Sequence, residues 1–154
     1  MTRKSYLFIF CLLGMLIVLL PGLRAEDQKP VKTIFHLTDA PANLPYSPAI
    51  LVKDTLYISG QLAVDPKTGK FEGGTIKQQA ERVLGNIELL LKKAGMDLSK
   101  VVSATVFITD FNEFAEFNEV FRKFFPKEPP TRATVQVSKL ALDAKIEIAA
   151  IAVK

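Results

Sequence analysis

The sequence predicts an α+β fold, a mixed α/β domain in which one mixed sheet carries two helices on a single face. Residues 49–53, 55–63, 101–109, 132–138 and 145–153 are rich in β-branched side chains that alternate with smaller or polar ones, as strands do. Residues 75–94 and 112–124 repeat their apolar side chains at helical spacing. The order is strands, helix, strand, helix, strands, and packing both helices on one face of one sheet is the economical arrangement of those pieces.

The chain opens with Arg3 and Lys4, an apolar run over residues 6–20, then Pro21, Gly22 and Ala25. A charged start, a greasy middle and small residues before a polar stretch have the layout of a secretory signal, so residues 1–25 are expected to be a signal peptide or an N-terminal membrane anchor. Cleavage after Ala25 would leave bulky Leu23 where a small side chain is favoured. An uncleaved anchor would have fewer than the ~20 apolar residues of a comfortable span. Cys11 lies inside the run behind Ile9 and Phe10, the wrong place for lipid attachment. The expected location is therefore exported, periplasmic or secreted, or membrane-anchored if the segment stays. Residues 26–32 read as a linker and 33–154 as one domain.

Without Arg3, Lys4 and Arg24 the 20 basic residues become 17 against 16 acidic ones, so the net charge of +4 resides mostly in the leader. A near-neutral domain without a basic stripe gives no reason to expect nucleic acid as a partner. Loss of the leader also removes the single cysteine, leaving a domain held by its core.

Lys53-Asp54 is a short polar break of the kind hairpins use, and Asp65, Pro66, Thr68 and Gly69 mark a turn. Thr75 with Gln78 forms a capping box for the first helix, whose Ile76, Ala80, Val83, Leu84, Ile87, Leu91 and Ala94 share a face until Gly95. Asn112 is expected to cap the second helix, where Phe114, Phe117, Phe121 and Phe124 form a stripe that reads as core. Pro126, Pro129 and Pro130 end it.

Parity sorts the strand residues between faces. One set is apolar and expected under the helices: Leu56, Ile58 and Leu62; Val102, Ala104, Val106 and Ile108; Ala133, Val135 and Val137; Ile146, Ile148, Ala150 and Ala152. The other mixes Tyr57, Gln61, Phe107, Ile151 and Val153 with Arg132, Thr134 and Glu147. Such a half-apolar face would be an exposed patch on a lone chain, and homo-oligomerisation through it is expected. Glu147 stands among Ile, Ala and Val, where an ionised carboxylate is costly unless paired, and Arg132 is the natural partner. A structural ion pair at an interface is the other reading of those two residues.

His36, placed in a first strand between Phe35 and Leu37, is the only histidine, and it reads as structural or surface. With no cysteine in the mature chain, zinc sites and acyl-transfer triads lack their usual residues, so no metal is expected. Gly73-Gly74 matches neither phosphate-loop nor dinucleotide spacing. Carboxylate, guanidinium, hydroxyl, amide and backbone groups remain, a set suited to placing water and moving protons.

The stretch from Pro130-Thr131-Arg132-Ala133 through Leu140 to Ile146-Glu147-Ile148 resembles the C-terminal signature of the RidA (YjgF-like) family of reactive-intermediate deaminases. Leu56-Tyr57-Ile58-Ser59-Gly60-Gln61, residues 65–69 and Phe114-Ala115-Glu116-Phe117-Asn118 resemble it too, in order and spacing. The resemblance implies a chorismate-mutase-like fold, a homotrimer with sites between subunits, no cofactor, and hydrolysis of 2-imino or enamine acids to 2-keto acids and ammonia. It implies that Arg132 holds the substrate carboxylate, Glu147 positions water and moves protons, Gly60 lends a backbone group, and Tyr46 and Asn118 shape the pocket. Thr134 stands where the family commonly has cysteine, and residues 44–48 differ from its usual Gly-Pro-Tyr-Ser-Gln. The alternative is a non-catalytic trimer of the same fold that binds small molecules or proteins.

Overall fold

The computed structural model describes residues 31–38 and 44–154, so the leader, Cys11 and residues 26–30 of the expected linker lie outside the described residues. Six strands and two α-helices follow in the order β1 (Lys32–Phe35), β2 (Ala49–Val52), β3 (Thr55–Gln61), α1 (Ile76–Lys93), β4 (Val101–Ile108), α2 (Phe114–Phe124), β5 (Thr131–Gln136) and β6 (Ile146–Val153). The strands form one sheet in the order β1-β2-β3-β6-β4-β5. Every pairing is antiparallel except β4 with β5, which α2 connects as a crossover helix. β1 begins one residue inside the expected linker, and His36 follows this strand instead of lying in it.

α1 forms where its sequence dictates. The Thr75 hydroxyl accepts from the Gln78 amide at 3.3 Å while Gln78 Oε1 accepts from the Thr75 amide at 2.9 Å, so two orphan donors of the first turn are satisfied. Gly95 ends the helix at φ 72°, a conformation that other residues adopt only with strain. Its inner face, with Val83, Leu84, Ile87 and Leu91, packs with Leu56, Val106, Ile146, Ile148 and Phe117 of α2 in one core. Buried Asn86 donates from its side chain to the carbonyls of Leu62 at 3.2 Å and Val64 at 2.8 Å, which fixes the chain leaving β3.

α2 starts differently from expectation. Asp110, not Asn112, provides the cap, accepting from the Asn112 amide at 2.9 Å and closing a 3-10 turn over Phe111–Glu113 before the α-helix begins at Phe114. Asp and Asn are equally good caps, and the sequence pattern did not separate them.

Two bulges and one inverted strand correct the assignment of faces. A register shift between Ile58 and Gln61 sends Gln61 into the core at 6 % exposure, and a second between Val101 and Ser103 buries Val101 while Val102 is 47 % exposed. In β5, Arg132 lies beside Ala104 and Thr134 beside Val106, so both belong to the helix-covered face. Ala133 and Val135 lie beside Thr105 and Phe107 on the other face. Alternation gives the period of an edge strand but not its phase, and here the apolar residues face away from the protomer's own helices. The uncovered face thus carries Tyr57, Phe107, Val135, Ile151 and Val153, with Tyr57 51 % and Val135 44 % exposed.

Phe117 is fully buried at the junction of α2, α1 and the sheet. Phe117→Ala is expected to destabilise the fold by roughly 3–5 kcal/mol, read from the midpoint of chemical denaturation.

Candidate functional site

β5 turns Arg132 beneath α2, where its guanidinium lies over the rings of Phe114, Phe117 and Phe121 at 5.6, 5.1 and 4.6 Å from their centroids. Nη2 donates to Asn118 Oδ1 at 2.7 Å. The aromatic stripe is core, as its spacing indicates, and also a stacking platform, a role that the sequence reading missed. A delocalised, weakly hydrated guanidinium suits such a position, whereas an ammonium would lose its water there. Burial, and secondarily the positive charge of Arg122, lower the Arg132 pKa from its ordinary value, yet arginine stays charged. Among the described residues no acid pairs with it. Its remaining N–H donors face a recess of about 330 Å³ lined by Asn118, Phe121, Arg122, Pro129 and Pro130.

Glu147 lies on β6 beside Phe107, on the uncovered face. Ile146 and Ile148 on either side of it are fully buried under the helices, which fixes the outward direction of its side chain. The bulge in β3 displaces Ser59-Gly60 from the ladder, and the Glu147 carboxylate lies against Gly60 so closely that a Cβ there would collide with it. Gly60 is therefore needed for room, its φ being unexceptional. Ser59 is tied to the Pro48 carbonyl through both its amide at 3.0 Å and its hydroxyl at 3.1 Å, which steadies the bulge. Among the described residues Glu147 has no hydrogen-bond or ion-pair partner, and burial raises its pKa above the ordinary carboxylate value.

The structure brings Arg132 together with Asn118, and Glu147 together with Gly60, but it does not bring these two pairs together. Arg132 and Glu147 project from opposite faces of the sheet, contrary to the expectation that they share one. Thr134 follows Arg132 on the helix-covered face, and its hydroxyl is buried without a partner among the described residues. Tyr46 is exposed and lines a separate recess of about 270 Å³ with His36, Leu37, Pro48 and Gln61, whose lining includes neither Arg132 nor Glu147. Among the described residues no cluster of His, Cys, Asp or Glu could hold a metal ion.

The fold and its half-sites define a small α+β protein that offers a guanidinium for an anion and, on its other face, a carboxylate of raised pKa. The family described as Endoribonuclease L-PSP matches residues 37–154. A RutC family protein of Sulfurisphaera tokodaii is 50 % identical over 110 residues, 71 % of this chain and 88 % of that one. A 2-iminobutanoate/2-iminopropanoate deaminase of Bos taurus is 43 % identical over 125 residues, 80 % of this chain and 91 % of that one. The crystal structure of E. coli TdcF with bound serine superposes with a TM-score of 0.72 at 37 % identity, covering 79 % of this chain and 97 % of that one. The chain belongs to the YjgF/RidA/RutC family, to which the name Endoribonuclease L-PSP also attaches.

Two outcomes follow from the Glu147 environment. Gly60→Ala should fold, because the obstructing atoms are the end of a flexible side chain, but it should swing the carboxylate aside and lower kcat roughly tenfold to a hundredfold on whatever substrate the site turns over. A raised carboxylate pKa favours the protonated form in the folded state, so this contribution is present at acid pH and lost as pH rises through the folded pKa. Glu147→Gln should therefore raise Tm at neutral pH, with the gain over the parent protein shrinking as pH falls through the raised folded pKa and gone below the ordinary carboxylate value.

Proposed function

We propose that the protein is a metal-free hydrolase that converts small 2-imino acids, or the enamines that give rise to them, to 2-keto acids and ammonia at sites formed between subunits of a homotrimer. The observation that carries this reading is the half-buried Arg132 guanidinium, seated on three aromatic rings and lacking an acidic partner among the described residues. A planar fork with free donors suits a substrate carboxylate held by two parallel hydrogen bonds. Two named relatives lend support: the bovine protein is called a 2-iminobutanoate/2-iminopropanoate deaminase, and TdcF was solved with serine, an amino acid with the same carboxylate.

The reaction needs little machinery. An iminium carbon is already electrophilic, so the protein has to hold the acid, place one water and manage protons. Arg132 with Asn118 would hold the carboxylate. Glu147 of a neighbouring subunit would orient the attacking water, take its proton, and deliver one to the departing amine, a role that a raised carboxylate pKa favours. Attack forms a C–O bond and leaves a carbinolamine. Expulsion of ammonia breaks the C–N bond and leaves the keto acid. Gly60 lets the acid lie flat against β3, Thr134 would support Arg132 from behind on the same strand, and Tyr46 would close the rim. The opposite orientation of Arg132 and Glu147 favours a site assembled across subunits, because no substrate of this size reaches through a sheet. With residues 1–25 as a leader, this chemistry is proposed to take place outside the cytosol, and the mass of the mature protein tests that.

Purified protein supplied with imines from an amino-acid oxidase should speed imine loss, followed by semicarbazide trapping. Arg132→Ala should lower kcat/KM by about a hundredfold or more. A pure binder would leave the background rate unchanged while still taking up 2-keto acids. Mixing unfolded Arg132→Ala and Glu147→Gln chains and refolding them together should restore about a quarter of the parent activity, the statistical share of intersubunit sites that receive both intact residues. No recovery in refolded oligomers of the right mass would place the site within one chain and sink the shared-site proposal.

A further inference from the structure

The recess at Arg132 holds a second cation that the proposed hydrolysis does not use. Arg122 on α2 and Arg132 on β5 line the same space of about 330 Å³, and none of its lining residues is acidic. Neighbouring bases are already engaged: Lys123 meets Glu81 at 3.4 Å and Lys77 meets Glu119 at 2.7 Å. Glu119 feels the charge of Arg122, but its carboxylate is bound to Lys77. Among the described residues Arg122 makes no hydrogen bond or ion pair, and it is near enough to Arg132 to disfavour that residue's charge.

The recess is furnished almost wholly with donors. Asn118 Oδ1 is occupied by Arg132, which leaves the Asn118 amide N–H groups to offer, beside two guanidiniums. The remaining walls are Phe121 and the rings of Pro129 and Pro130, which have no N–H. Arg132 is half-buried and Arg122 stands exposed at the rim; two like charges on one recess repel when it is empty, and an occupant with two separated anionic groups relieves that repulsion better than one with a single group. One carboxylate on Arg132 leaves Arg122 uncompensated.

We infer that Arg122 is a specificity residue that makes this site prefer 2-imino dicarboxylic acids to monocarboxylic ones, Arg132 taking the carboxylate next to the imine and Arg122 the distal one. This rests on the proposed reading of Arg132 as the carboxylate anchor, and it adds a substrate class to it.

The test compares two product analogues of equal chain length, 2-oxoglutarate and 2-oxopentanoate, by calorimetric titration of the full oligomer at low ionic strength. The dicarboxylate is expected to bind about tenfold more tightly, and half-molar salt should compress that ratio. Arg122→Gln should bring the ratio to about one and Arg122→Lys should recover part of it, while Arg132→Ala should abolish binding of both. The imines derived from glutamate and norvaline should show the same order in kcat/KM. Equal affinities in the parent protein, or a preference that survives Arg122→Gln, would overturn the inference. So would an Arg122→Gln variant that changes the oligomer's mass but not the ratio, since Arg122 would then pair with an acid of a neighbouring subunit. If the dicarboxylate preference holds but neither imine is hydrolysed faster than background, the specificity stands and the deaminase reading fails. The reverse pattern separates them the other way.

Discussion

The pleat of one sheet governs the chemistry open to this protein. β6 and β5 flank β4, so Glu147 and Arg132 stand on strands separated by one other, and successive residues of a strand face opposite ways. Register puts Arg132 beside Ala104 under the helices and Glu147 beside Phe107 on the bare face. The sheet stands between the two charges. Each is left with the desolvation that burial imposes and without the opposite charge that would compensate it. Every functional statement about this chain has to accommodate that separation, and a second copy supplying the missing half is the simplest way to do so.

The aromatic stripe shows how the fold tolerates the positive half. Phe117 and Phe121 are buried because they fill the space between α2, α1 and the sheet, and their rings then offer the guanidinium a surface that replaces lost water. Packing and binding are therefore not separable on α2: the residues that anchor the helix also hold Arg132 in one orientation. Asn118, one residue beyond Phe117, fixes the plane of the fork from the same turn. On the other side, the tie of Ser59 to Pro48 holds a bulge that turns Gln61 into the core and lays Gly60 under the Glu147 carboxylate.

Much of the fold was legible because local signals agreed with tertiary packing. The capping box at Thr75, the stop at Gly95 and the alternation through β6, and through β4 from Ala104 onward, each have one structural solution, and the chain adopts it. What could not be read was phase. Val101 and Gln61 enter the core only because bulges shift the register by one residue, and a bulge leaves no reliable mark in a single sequence. β5 misled for a different reason. Its Ala133 and Val135 point to the helix side only if apolar residues seek their own protomer's core, which fails wherever a second apolar surface exists. Glu147 stands out in the sequence as a charge among apolar strand residues and Arg132 as its natural partner, both also by motif resemblance, and Gly60 and Asn118 by resemblance alone. The place of Arg122 at the recess, in contrast, depends on how α2 meets the Pro129-Pro130 turn, and nothing local encodes that.

The misread phase of β5 carries the last step. Had Ala133 and Val135 faced the helices, Arg132 would have shared the bare face with Glu147, and one protomer would have carried both charges on one surface. Inverting the strand does two things at once: it adds Val135 to an already apolar face beside Phe107, and it places the arginine on the opposite face of the sheet from Glu147. The first strengthens the drive to cover that face with another subunit. The second keeps the guanidinium unpaired until something anionic arrives. In the proposed trimer, then, assembly and substrate capture follow from the same one-residue choice of register, and a chain that satisfied its own charges would have lost the reason to do either.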